Sequence, residues 1–222
     1  MAENVRSFHG PLSERVRDQT VACCQGLSGR LLDVGCGNGL LFDALLPGST
    51  LHGIGVDRSF ELLSDAVRRL DGRIGCVRGL IHQLPFRDGS FDIVTCLNTL
   101  LNLPSLDAVT GALGEMMRVC RPSGRVIVDI RNARNPYIRA RYWWHRRTPS
   151  FPTVAYRLDE IAAVLQSGGF TVETADPIGM TGAWMAWGYV IVARRTSPNP
   201  SRSLPFPLLR KEREGEGRGE DG

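Results

Sequence analysis

Hydrophobic positions along the chain alternate between short apolar runs and longer stretches in which apolar residues recur at helical spacing. The runs predict strands at residues 30–34, 51–56, 73–77, 91–97, 125–130, 170–176 and 187–195. The longer stretches predict helices at residues 11–25, 38–46, 59–70, 106–120 and 158–165. Pro122 and Gly124 predict a turn before the fifth strand. This alternation is typical of βαβ units on a parallel sheet, and the last two strands, which have no helix between them, predict a closing hairpin.

Length and composition fit one globular domain followed by a tail. The chain has 222 residues, of which 42% are hydrophobic and 23% are charged. Residues 1–195 carry the strand and helix pattern, whereas residues 196–222 are rich in proline, glycine and charge, which predicts disorder. The run "LPFPLL" in this tail could dock a partner, but an adventitious extension is favoured.

The sequence also bears on compartment and metal binding. No apolar run approaches the roughly 20 residues that cross a bilayer, so we expect no transmembrane segment. The first twenty residues have no apolar signal-peptide core, which favours the cytoplasm. Six scattered cysteines and four histidines show no metal-ligand spacing, so free thiols and no metal are expected.

The stretch "RLLDVGCGNGLLFDAL" places three glycines at alternate positions between a predicted strand and a predicted helix. Such a junction lets a ligand approach the backbone and the helix N-terminus closely. Asp57 ends the next strand, 22 residues after Gly35, at the distance of a carboxylate that accepts hydrogen bonds from ribose. NAD(H) and S-adenosylmethionine both fit this arrangement. The dinucleotide fingerprint G-x-G-x-x-G is not met, because Leu40 stands at its last position.

The order Asp33-x-Gly35-x-Gly37-x-Gly39 resembles the first motif of class I S-adenosylmethionine-dependent methyltransferases, in their small-molecule-type group. The segments 84–103, 116–130 and 156–173 are similar to later parts of that family, so the likeness spans residues 27–195. It implies an α/β fold, a Rossmann-like, doubly wound, seven-stranded sheet that is mostly parallel, with one antiparallel strand and helices on both faces.

The resemblance also implies a cofactor, S-adenosylmethionine, and the residues around it. The implied cofactor-binding residues are Asp33, Gly35, Cys36, Gly37, Gly39, Asp57, Arg58, Leu80, Ile81 and Asn98. Asp33 would organise the loop and the amino group, and Asn98 would lie near the methyl group. Many relatives carry an acid that bonds the adenine amino group where this chain has Leu80. Adenine would therefore rely on backbone groups near Ile81 and His82 and on apolar packing.

No residue stands out as a general base. Asp129 ends the fifth strand and could face either the core or the cleft. His9, His82 and His145 are each more simply read as solvated or hydrogen-bonded side chains. The catalytic residue is left open, since an amine or carbanion acceptor would need little help from a base.

A basic aromatic insert, residues 131–152, separates the fifth strand from the following helix. Residues 131–147 hold six arginines and no acid, so removing them from the net charge of +4 leaves −2 for the rest of the chain. One interpretation is a helix whose aromatics cap the core and whose arginines are solvated. The other is a lid over an anionic or aromatic small-molecule acceptor. Its candidate substrate-binding residues are Arg139, Tyr142, Trp143 and His145.

The sequence thus favours a methyltransferase acting on a small or medium-sized metabolite. A non-catalytic cofactor- or partner-binding protein is the alternative, an RNA methyltransferase or an NAD-dependent oxidoreductase is less favoured, and nucleic-acid binding is disfavoured. Trp143 and Trp144 beside arginines leave peripheral membrane contact open. The oligomeric state, the acceptor and the methylated atom are left open.

Overall fold

The computed structural model describes residues 10–145, 153–179 and 185–196. Seven strands form one sheet: β1 (Ser28–Val34), β2 (Thr50–Asp57), β3 (Gly75–Arg78), β4 (Phe91–Cys96), β5 (Cys120–Arg131), β6 (Phe170–Ile178) and β7 (Gly188–Arg195). Within the described residues, six α-helices accompany it: α1 (Pro11–Cys24), α2 (Leu40–Leu45), α3 (Phe60–Arg69), α4 (Leu106–Val119), α5 (Pro136–His145) and α6 (Leu158–Ser167).

The strand order is β3-β2-β1-β4-β5-β7-β6. Only β7 runs against the other strands, since it is antiparallel to both β5 and β6. This confirms the expected Rossmann-like fold with one antiparallel strand. The chain order reverses at β1, so the loops after β1 and β4 open beside each other, where open α/β sheets bind ligands.

Both faces of the sheet are buried under helices. Leu31 belongs to the core that packs against α1, α2 and α3, whereas its neighbour Leu32 belongs to the core under α4 and α6. Because successive strand residues point to opposite faces, near-continuous apolar runs are what such a strand needs. Serine side chains cap the N-termini of two of these helices. The Ser59 hydroxyl accepts a hydrogen bond from the Leu62 amide at the start of α3, and the Ser105 hydroxyl accepts one from the Ala108 amide at the start of α4.

The predicted turn at Pro122 and Gly124 is wrong, because both residues lie inside β5. Cys120 already pairs with Phe91 before the register shifts. Ser123 has a φ of 63°, and a Cβ on Gly124 would come within 2.8 Å of the Asp92 carbonyl oxygen. The two turn-forming residues therefore produce an irregularity within a strand.

The tail from residue 197 onward lies outside the described residues.

Candidate functional site

The glycine loop, residues 35–39, links β1 to α2 and is held against the end of β2. The backbone amides of Gly35 and Cys36 donate to the Val56 carbonyl at 2.7 and 3.0 Å. The Gly37 amide donates to Oδ2 of Asp57 at 2.9 Å, and the Ser59 amide donates to Oδ1 of the same carboxylate at 2.9 Å. The two features identified separately in the sequence are thus one hydrogen-bonded unit.

The three loop glycines all have left-handed φ angles, of 78°, 53° and 81°, but they serve different purposes. A Cβ on Gly35 would lie 2.8 Å from Cγ2 of Thr99, and one on Gly39 would lie 2.8 Å from Cδ1 of Leu70. A Cβ on Gly37 would find its nearest neighbour, Cδ1 of Leu62, at 3.9 Å. Gly35 and Gly39 therefore permit close packing within the protein, whereas Gly37 faces open space that a ligand can fill.

Asp33 lies beneath the loop and is almost fully buried. The hydroxyl of Thr95, on the neighbouring strand β4, donates to Oδ1 of Asp33 at 2.7 Å. Burial raises the pKa of Asp33 to about 7, the Thr95 hydrogen bond opposes this rise, and the nearby Asp57 carboxylate adds to it. A cation placed above the loop would stabilise the ionised form.

Cys36 belongs to the loop only through its backbone. Its side chain is buried in the core on the α1–α3 face, and burial raises the pKa of the thiol. A Cβ on Gly55 would come within 2.6 Å of the Cys36 sulfur, so the thiol occupies space that a glycine leaves on β2. The six cysteines are all free thiols.

Asn98 follows β4 in a left-handed conformation, with φ of 52°, and is held from several directions. Its backbone amide donates to Oδ1 of Asp129 at 2.5 Å. Its side-chain oxygen accepts from the Arg131 guanidinium at 2.6 Å and from the Ser13 hydroxyl at 3.2 Å. The strand ends of β4 and β5 and helix α1 are therefore connected through one carboxamide.

Asp129 and Arg131 form a buried ion pair at the end of β5, with side chains 0% and 4% exposed. Tyr142 of α5 joins them, since its hydroxyl is hydrogen-bonded to Arg131. Burial raises the pKa of Tyr142, and Arg131 opposes that rise. We call Asn98, Asp129, Arg131 and Tyr142 the polar wall. Because Asp129 is committed to Arg131 and to the Asn98 amide, the polar wall holds no free carboxylate.

Apolar side chains lie near the ends of the outer strands. Asp57 pairs in register with Arg78 at the end of β3, and the residues that follow include Phe60 and Leu80, which are 65% and 47% exposed. Ile81 is half-buried, and His82 and Arg58 are exposed. Two exposed apolar side chains beside a ribose-type carboxylate are suited to a flat aromatic ring.

The predicted site residues fall into two groups. The predicted cofactor residues lie along the ends of β1 to β4, whereas among the predicted substrate residues with described side chains only Tyr142 points inward. Arg139 and Trp143 are exposed on α5. His145 ends α5, but its side chain, residues 146–152 of the insert and His9 lie outside the described residues.

Sequence reasoning missed Thr95, Thr99 and the role of Arg131, which it counted with the solvated insert. The sequence pattern Asp129-Ile-Arg131 indicates the pairing of these two charged residues. Two charged residues two apart on an otherwise apolar strand point to the same face, and there they need each other as partners.

A family profile described as a methyltransferase domain matches residues 32–128, which span the glycine loop, Asp57 and both β4 and β5 up to Val128. Residues 32–128 thus carry a methyltransferase domain, and the chain is similar to the class I S-adenosylmethionine-dependent methyltransferases. The residues present fit S-adenosylmethionine as cofactor, because Gly37 leaves a cradle beside the Asp57 carboxylate.

Relatives within this family differ in their acceptors. The chain is 33% identical over 140 residues to a demethylmenaquinone methyltransferase of Roseiflexus sp. (strain RS-1), covering 60% of this chain and 57% of that one. It is 33% identical over 171 residues to the 24-methylenesterol C-methyltransferase 2 of Oryza sativa subsp. japonica, covering 71% of this chain and 46% of that one. The chain thus spans about half the length of these relatives.

The fold matches magnesium protoporphyrin IX methyltransferase from Synechocystis PCC 6803, solved with bound S-adenosylhomocysteine. The TM-score is 0.67 at 18% identity, with 86% of this chain and 90% of that chain covered. Within the described residues, no helix combines the length and hydrophobicity that crossing a membrane requires.

Proposed function

We propose that this chain, through the domain formed by residues 1–195, transfers a methyl group from S-adenosylmethionine to a small or medium-sized metabolite. The observation that supports this most is the junction of the glycine loop with Asp57 beside the polar wall. A cofactor cradle and a second, polar surface thus meet at the carboxyl ends of adjacent strands.

In this proposal the glycine loop and Asp57 hold the cofactor. Asp57 accepts hydrogen bonds from the ribose while keeping the Gly37 amide, because a carboxylate has lone pairs for about four donors. The ionised Asp33 faces the ammonium group of the cofactor. Phe60 and Leu80 pack on adenine in place of the missing carboxylate contact.

The polar wall then borders the acceptor. Asn98 and Tyr142 present an amide and a hydroxyl, whose orientations are set by Arg131. When bound, S-adenosylmethionine would supply an electrophilic methyl group on its sulfonium; the acceptor would gain the bond to the methyl carbon that the sulfur loses, and S-adenosylhomocysteine would be the product. The chain's main contribution is alignment of the acceptor in line with that bond.

Among the described residues, no group of the polar wall is suited to remove a proton. Asp129 is ion-paired, and Tyr142, with its raised pKa, remains protonated near neutral pH and accepts a hydrogen bond from Arg131. The proposed acceptor therefore arrives as a competent nucleophile, such as an amine, a stabilised carbanion or an acidic hydroxyl.

A non-catalytic cofactor-binding protein is the second candidate, favoured by one observation. Leu80 is exposed where many relatives carry the adenine-binding acid, and losing one such hydrogen bond costs on the order of 1 kcal/mol. Weak cofactor binding without turnover would follow if the residues that border the acceptor had also lost their function.

Calorimetric titration with S-adenosylmethionine, S-adenosylhomocysteine and NADH tests the cofactor half of the proposal. We expect binding of the first two only, weakened at least about tenfold in Asp57→Ala, which removes a charged hydrogen-bond acceptor. Asp65→Ala, an exposed carboxylate on α3, is the matched control and should bind normally. Binding of NADH alone, or equal binding in both variants, would contradict the assignment.

Transfer of labelled methyl from S-adenosylmethionine to a panel of amines, phenols and activated-carbon acceptors tests the catalytic half. Cofactor binding without transfer to any member would favour the non-catalytic candidate.

A further inference from the structure

Helix α5 turns its large aromatic side chains outward. Tyr137, Trp143 and Trp144 are 56%, 55% and 66% exposed, and we call them the aromatic face of α5. At 3.6 residues per turn, Tyr137 and Trp144 lie within about 20° of each other around the helix. The inward positions are instead Ile138, which is buried, and Tyr142, which joins the polar wall. The prediction that the aromatics of the insert cap the core therefore fails for these three residues.

Two exposed arginines border this aromatic face. Arg139 lies about 40° beyond Trp143 on one side, and Arg141 lies about 40° beyond Tyr137 on the other. In the described part of the chain neither has a carboxylate within salt-bridge distance, whereas Arg134 pairs with Asp159 on α6. The sequence from residue 131 to 152 contains no acid at all. The positive charge of α5 is therefore not neutralised locally.

Exposing two tryptophans and a tyrosine on one helix is unfavourable in water and favourable at the boundary between lipid headgroups and acyl chains. There the ring bodies enter apolar surroundings while the indole N–H and phenol O–H groups stay hydrated. Arginines beside such rings meet anionic lipid phosphates. We propose that the outer surface of α5 docks the protein on an anionic bilayer surface.

A bilayer is favoured over nucleic acid by the shape of this surface. Single-stranded nucleic acid is bound in charged grooves where successive bases stack on aromatic platforms. Here the rings spread over about 120° of the outward side of a convex helix, from Trp143 to Tyr137, with a charge on each flank, which suits insertion into a planar interface. On the proposed function, docking would leave the polar wall behind α5, about one helix diameter (roughly 10 Å) from the bilayer surface, because Tyr142 lies on the opposite side of the same helix.

Co-sedimentation of the full chain with vesicles tests this directly. We expect binding to vesicles of equal parts phosphatidylglycerol and phosphatidylcholine, little binding to pure phosphatidylcholine, and a blue shift of tryptophan emission on binding. Arg139→Gln with Arg141→Gln should weaken binding roughly 25-fold, since each arginine near an anionic leaflet contributes about fivefold. Trp143→Ala with Trp144→Ala should remove the blue shift.

The matched control is Arg68→Gln with Arg87→Gln, which removes the same charge from exposed positions on α3 and before β4. This control should bind vesicles as the wild type does. Absence of wild-type binding, equal loss in the control, or tighter binding to an RNA oligomer than to anionic vesicles would overturn the proposal. Titration of each variant with S-adenosylhomocysteine keeps this result separate from the proposed function, because α5 docking and cofactor binding use different residues.

Discussion

Replacing Gly37 by alanine should weaken cofactor binding at least about tenfold with only a modest loss of stability, because the added methyl group meets the proposed cofactor cradle and not the protein core. The added Cβ would find only Cδ1 of Leu62, at 3.9 Å, so it creates no clash within the protein. The cost to folding is the left-handed backbone at φ of 53°, about 1–2 kcal/mol for an alanine. For a domain of this size, that corresponds to a melting temperature lowered by roughly 2–8 °C.

Gly35→Ala is the informative comparison. Its Cβ would lie 2.8 Å from Cγ2 of Thr99 and closer still to the Thr99 hydroxyl, so overpacking adds about 1–3 kcal/mol to a similar backbone cost. Gly35→Ala should therefore melt well below Gly37→Ala. The methyl group at position 37, in contrast, projects into the proposed cofactor cradle.

Thermal unfolding and calorimetric titration with S-adenosylhomocysteine together test this reasoning. We expect Gly37→Ala to lose at least about tenfold in affinity while remaining folded at the temperature of the titration. Wild-type affinity in a folded Gly37→Ala protein would refute the assignment of the open space beside Gly37 to the cofactor. A Gly37→Ala protein that melts as low as Gly35→Ala would refute the packing argument.

Two further predictions concern buried charges. Because the pKa of Asp33 is raised to about 7 from an unfolded value near 3.9, the folded protein binds the extra proton, and stability should fall as pH rises from about 4 to about 7 and then level off. The unfolding free energy of Asp33→Asn, measured across this pH range, should lack that contribution, which is of order 4 kcal/mol. If it changes with pH as steeply as that of the wild type, the burial argument is contradicted. Arg131→Met leaves Asp129 buried without its cation and should cost about 3–5 kcal/mol in urea unfolding. Adding Asp129→Asn to Arg131→Met should recover part of that loss, whereas a cost below about 1 kcal/mol for the single variant would show that the pair is not a buried one.

The sequence predicts the sheet well because its strands are buried on both faces and read as apolar runs between helical stretches. All seven strands occur close to their predicted positions, and the closing hairpin is confirmed. The sequence also assigns the glycine loop and Asp57 to one cofactor site, but the hydrogen bond between Gly37 and Asp57 is seen only in the structure.

Other features depend on three-dimensional packing that a one-dimensional pattern does not contain. The positions of Thr95 and Thr99 matter only because β4 lies beside β1. The sequence left two interpretations of the insert open, a core-capping helix and a substrate lid, because a helix with both arginines and aromatics can bury either part of its surface. Here the space beneath α5 is taken by Ile138 and by the Tyr142–Arg131 contact, which leaves the tryptophans outside.

The Asp129–Arg131 pair has an electrostatic consequence for the choice of acceptor. An arginine alone at the end of β5 would place positive potential on the same edge of the sheet as the cofactor, whose sulfonium is itself cationic until the methyl group leaves. Asp129 cancels that potential at its source, so the polar wall is electrically neutral. On the proposed function, this wall would distinguish acceptors by shape and hydrogen bonding, and any preference for anions would arise from the outer arginines of α5.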